Sequence, residues 1–179
     1  MNGFGRTIAL GFGILVLAAC SSKTPEDQGN LVCPDVSILA EAARLIQWKP
    51  GEGRDLTDVV TNAELVQVTG SCAPPTKGNK VQVQFAAAIR AEAGPANTTR
   101  TADIPYFIAL IDKDRKVLLR EHFSSQITFP TNQARLAFYD EFEHEFTLPT
   151  GVQARDYTYY VGFELNEEEL KRNRARLGN

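Results

Sequence analysis

Alternation of apolar and polar positions dominates the second half of the chain. From Lys80 to Arg90, Val81, Val83, Phe85, Ala87 and Ile89 fall on one face, and Gln82, Gln84 and Arg90 on the other. A period of two is the mark of a strand with one buried side. Ile104 to Ile111 is apolar at both parities, with Ile104, Tyr106, Ile108 and Leu110 opposite Phe107, Ala109 and Ile111. That predicts a strand covered on both faces. Asp112 to Lys116 has turn chemistry, and Val117 to Phe123 is its hairpin partner. Leu136, Phe138, Phe142, Phe146 and Leu148 line one face of a long strand, with Glu141, Glu143 and Glu145 opposite. Tyr157, Tyr159, Val161, Phe163 and Leu165 form the last strand, and Leu65 to Thr69 alternates weakly.

Residues 36–48 read two ways. Val36 and Ile38 alternate as in a strand, whereas Ala-Glu-Ala-Ala-Arg-Leu favours helix by propensity. Residues 49–54, 73–79 and 93–103 read as loops, and 129–132 as a turn, from their Pro, Gly, Asn and Asp content. Near the C-terminus, Asn166 can cap a short helix whose first turn holds Glu167, Glu168 and Glu169 and whose end is basic. Six or seven short strands in roughly 130 residues predict an all-β fold, an antiparallel β-sandwich with a C-terminal helix. The Ig or fibronectin-III class is the expected architecture, without implied homology.

The N-terminal segment follows another rule. Met1 to Thr7 carries a single positive charge, Arg6, and Ile8 to Ala19 is an uncharged apolar run of twelve residues. That is short of the roughly 20 needed to span a membrane and fits a signal peptide. Leu17-Ala18-Ala19-Cys20 resembles the lipobox of bacterial lipoproteins. The resemblance implies cleavage before Cys20, acylation of Cys20, and stable anchoring by several acyl chains. Ser21 in place of Asp implies the outer membrane, facing the periplasm, with the inner membrane as the alternative. Residues 20–32 then read as the acylated cysteine and a polar tether, and 33–179 as a single domain. The twelve residues after Cys20 reach about 40 Å at most. With Cys33-Pro34 and a second cysteine, Cys72, after a strand, the chain resembles small proteobacterial envelope lipoproteins. That likeness implies a location and no activity.

Composition narrows the functions. Without residues 1–19, eighteen Lys and Arg stand against twenty-two Asp and Glu, a net charge of about −4. A nucleic-acid partner would require a basic face. Cys33 and Cys72 remain as an even pair in an oxidising compartment, which predicts a disulfide closing a loop of 40 residues. Two free thiols or a metal site are the alternatives, and a metal lacks both a Cys-x-x-Cys spacing and paired histidines.

Candidate chemistry is sparse. His144 and Asp140 sit on the apolar face with Phe142 and Phe146, about 13 Å apart along the strand, too far for direct contact. His144 therefore reads as a hydrogen-bonded or sheet-end histidine, and His122 as solvent-facing. Glu141, Glu143 and Glu145 read as a solvated stripe, with binding of cations or a basic partner as the alternative. Asp112 and Asp114 lack the glycine and terminal glutamate of a calcium loop, and Asn97-Thr98-Thr99 matches a glycosylation site with little meaning in most bacteria. Tyr160, opposite in parity to Tyr157 and Tyr159, is the candidate contact residue. No catalytic motif, metal site or cofactor is expected. The expected function is a non-enzymatic binding or scaffolding module for an envelope protein partner, acting through 73–79 and 93–103. The alternative is a carrier of a small apolar ligand or lipid between the sheets.

Overall fold

A computed structural model describes residues 33–51 and 53–178. Residues 1–32, on which the expected signal peptide, the expected acylation at Cys20 and the expected tether fall, lie outside the described residues. Eight strands appear in chain order: β1 (Asp35–Ile38), β2 (Arg44–Trp48), β3 (Val59–Cys72), β4 (Lys80–Ala93), β5 (Thr101–Asp112), β6 (Val117–Thr128), β7 (Arg135–Thr147) and β8 (Tyr157–Phe163). They form two four-stranded sheets, ordered β1-β8-β5-β6 and β2-β3-β4-β7, followed by a helix α1 (Glu167–Leu177). This is an all-β sandwich. Every strand pair is antiparallel except β1 with β8, which run parallel.

The alternating faces meet as their periodicity requires. Val81, Val83, Phe85, Ala87 and Ile89 of β4 pack against Ile104, Tyr106, Ile108 and Leu110 of β5 and Tyr159, Val161 and Phe163 of β8 in one core. β5 is covered on its second face too, because Phe107 and Ala109 pack under Ala42, Leu39 and Leu165. Residues 36–48 combine both readings: β1, a 3-10 turn at Ala40–Ala42, then β2. That turn carries the chain from one sheet to the other and closes one side of the sandwich. Gly162 makes this possible, since a Cβ there would lie 2.7 Å from the Ala42 Cβ and 2.9 Å from the Phe107 ring.

Two fastenings secure the same side. The Cys33–Cys72 disulfide joins the chain just before β1 to the end of β3. Asn166 and Glu169 form a reciprocal capping box at the start of α1. Further along, Asn173 donates to the carbonyls of Glu41 (2.9 Å) and Arg44 (2.8 Å), so the helix occupies polar groups at the edge of β2. The expected loop 93–103 is shorter than its composition suggested. β4 runs to Ala93 and β5 starts at Thr101, leaving 94–100.

Candidate binding surface between β6 and β7

Among the described residues, the opposite side of the sandwich is open. Its walls are the edge strands β6 and β7; β7 alternates along its whole length between exposed and half-buried residues, and β6 does so from Phe123 to Thr128. Leu119, Phe123 and Ile127 of β6 and Leu136, Phe138, Phe142 and Phe146 of β7 point inward yet remain only partly buried. A central strand buries such residues between neighbours on both sides; an edge strand has only one. The two walls join at one end through residues 129–134, where Phe129 is 2% exposed and plugs the bend. Arg100 braces that bend by donating to the carbonyls of Phe129 (3.3 Å) and Gln133 (2.9 Å).

The walls touch at mid-length. Phe123 and Phe142 meet edge to face with centroids 5.2 Å apart, and Tyr106 stacks on Phe123 at 5.5 Å. Beside them Asp140 accepts hydrogen bonds from the Tyr106 hydroxyl at 3.0 Å and from the Ser125 hydroxyl. Beyond this bridge, away from the bend, lies a slot of about 230 Å³. Phe85, Ile108, Leu119 and Phe142 give it apolar walls, and Glu121, His144 and the Tyr159 hydroxyl give it a polar lining. His144 Nδ1 is 2.5 Å from the Tyr159 hydroxyl, and the Phe146 ring stacks on the imidazole at 6.1 Å.

The electrostatics favour holding protons rather than moving them. Burial raises the Tyr159 hydroxyl well above the ordinary phenol value, and the nearby Glu121 carboxylate adds to it. Burial likewise raises Tyr106, reinforced by the Asp140 charge and opposed by the Ser125 hydrogen bond. Both phenols are therefore neutral hydrogen-bonding groups near pH 7 and cannot act as bases there. Among the described residues, no three His, Cys, Asp or Glu side chains gather closely enough to hold a metal ion. What the open side offers is half-exposed aromatic surface flanked by strand backbone that no other described strand pairs.

No protein-family model, curated protein or solved structure matches the chain.

The residues singled out by sequence fall in several places. Cys33 and Cys72 are disulfide-bonded; Cys20 lies outside the described residues. Tyr160 is half-buried on the outer face of the first sheet, beside Ala109 and Ser37, away from the open side. His144 is hydrogen-bonded at the edge of the core, and His122 is exposed with its Nδ1 2.6 Å from Glu164. Asp112 accepts from the backbone N–H groups of Asp114 and Lys116, each at 2.9 Å, which is turn chemistry. Asn97 serves the 94–100 turn by accepting from the Arg100 N–H at 2.7 Å. Sequence reasoning did not find Glu121 and Ser125 on the inner face of β6, nor the Tyr106–Asp140–Ser125 cluster. The signal was present as polar residues at apolar parity, but only the partner strand gives it meaning.

Proposed function

We propose that this chain is a lipid-anchored, periplasm-facing envelope protein whose sandwich is a non-enzymatic binding module, and that it binds through the open side between β6 and β7. The observation that carries this reading is the row of half-buried Phe138, Phe142 and Phe146 beside a strand edge that no other described strand pairs. Exposed apolar surface next to free backbone donors and acceptors is suited to another chain. The loops at 73–79 and 94–100 are weaker candidates. The second is tied inward through Arg100, and through Gly94 and Ala96 to the carbonyls of Val60 and Val59, each at 2.9 Å.

A carrier role is the second reading, favoured by the slot beside Leu119 and His144. Its 230 Å³ falls short of the roughly 300–1,000 Å³ of ordinary ligand pockets. A single small ring would fit where an acyl chain would not.

Placement of a photo-reactive residue at Tyr139, which is 71% exposed on β7, tests the binding reading in cells. The acylated full-length protein is expected to give a recurrent crosslinked partner that the same probe at exposed Leu56 does not give. A Cys20→Ser form, exported but not acylated, is expected to lose it. Equal crosslinking from both positions, or none from either, would remove the reading.

A further inference from the structure

The four sheet edges are treated unequally. β1 is an edge of only four residues, and β2 is partly covered through Asn173 of α1. β6 has Arg120 and His122 of its outer row tied to Glu164. β7 is different: thirteen residues pair with β4 in unbroken register, without the shift seen in β2–β3, β3–β4 and β5–β6. A long, regular edge that no other described residue covers is a template for one more strand. We infer that β7 takes an extended segment of a partner protein as an added strand, with Lys or Arg at alternate positions and apolar residues between them. This rests on the binding reading above and names the chemistry of its partner.

Charge decides between occupants. On the outer face β7 presents Glu141, Glu143 and Glu145, directly opposite Ala86, Gln84 and Gln82 of β4. Lys80 pairs with Glu145 at 2.6 Å and Gln82 donates to Glu143. Glu141 has no ion-pair or hydrogen-bond partner among the described residues. Two of the three charges are thus uncompensated by a cation. A second copy joined through the Tyr139–Thr147 stretch of β7, about a two-fold axis at Glu143, would set these glutamates against one another, which like-charge cross-strand pairing disfavours. A strand with basic residues on that face turns each repulsion into an attraction. Its intervening residues would lie along Phe142, His144 and Phe146 and cover their exposed sides. Nine added residues span about 30 Å, enough to run from Tyr139 to Thr147.

The test uses the acylated full-length protein in detergent micelles and three labelled nine-residue peptides, read by fluorescence anisotropy. One alternates Lys and Val, one alternates Glu and Val, and the third is the Lys peptide N-methylated at alternate residues. The Lys peptide is expected to bind at least tenfold more tightly than either of the others. The double variant Glu141→Lys, Glu143→Lys is expected to reverse the preference between Lys and Glu peptides while melting like the parent. Undiminished binding of the N-methylated peptide would mean an acidic surface without strand addition and would overturn the inference. So would failure of all three peptides, which would make the glutamates a deterrent to aggregation only. If either occurs while the Tyr139 crosslink persists, the binding module stands and only the added strand falls.

Discussion

Removal of the disulfide is the sharpest test of how the closed side is held. Cys33 and Cys72 are 39 positions apart, so the bridge closes a long loop in the unfolded chain. The chain-entropy relation gives about 4 kcal/mol for such a loop. In backbone pairing β1 is held over four residues by β8 alone. On its inner side Val36 lies so close to Gly70 that a Cβ there would be 2.6 Å from the Val36 Cγ2. A Cys33→Ala, Cys72→Ala double variant should therefore lose about 4 kcal/mol. For a domain of this size each kcal/mol moves the midpoint by about 2–4 °C, so the expected fall is about 8–16 °C.

Thermal and urea unfolding followed by circular dichroism would measure it. If the bridge acts on the unfolded chain, the urea m-value should rise in the variant, because an uncrosslinked chain exposes more surface. Native-state hydrogen exchange adds a local signature: Val36 to Ile38 should lose protection before β4 or β5 does. A midpoint within about 3 °C of the parent, with an unchanged m-value, would refute the reasoning. It would mean that the contacts around Val36 and Gly70 hold β1 unaided.

Three other outcomes follow from named contacts. Gly94→Ala should cost at least about 2 kcal/mol in urea unfolding, since the new Cβ falls on the Val59 carbonyl, whereas Lys77→Ala on the exposed 73–79 loop should change little. Folding holds Tyr159 and Tyr106 protonated above their ordinary value near 10, so stability is full below that pH and falls as rising pH ionises the unfolded phenols. Tyr159→Phe should flatten that decline between about pH 9 and about pH 11 in urea midpoints, and an unchanged slope would count against burial as its cause. Asp140→Ala should cost about 1–3 kcal/mol by leaving the Tyr106 and Ser125 hydroxyls without their acceptor, and a Ser125→Ala background should reduce that cost. Additive effects of the two substitutions would show that the pair is not coupled.

The central strands were legible because each carries its own signal. β4 buries one parity and from Lys80 to Gln84 exposes the other, and β5, apolar at both, is covered on both faces. The capping box of α1 was legible too, because Asn166 and Glu169 are local partners. The first half of β3 was not, since its inward residues Thr61 and Ala63 are too small to mark a face. β1 and β2 were ambiguous because strands of four and five residues rest on pairing far away in sequence, which propensity cannot see. The same limit hid the character of β7. Its period announced a half-buried strand, but nothing local says whether a strand lies at an edge.

That position changes the meaning of the aromatic row. In a central strand Phe138, Phe142 and Phe146 would be core; at this edge each retains exposed surface. Full burial of such a side chain is worth about 1.5–3 kcal/mol, and part of that remains unrealised in the isolated domain. Simple collapse of the two walls could recover it, but the walls already touch at Phe123–Phe142 and at Ser125–Asp140, and those contacts set their separation. Polar Glu121 and His144, facing inward beyond the bridge, resist drier packing there. An added strand can cover the aromatics without closing the gap, because it extends the sheet rather than thinning the sandwich. The burial left unrealised and the unpaired backbone of β7 thus call for the same occupant.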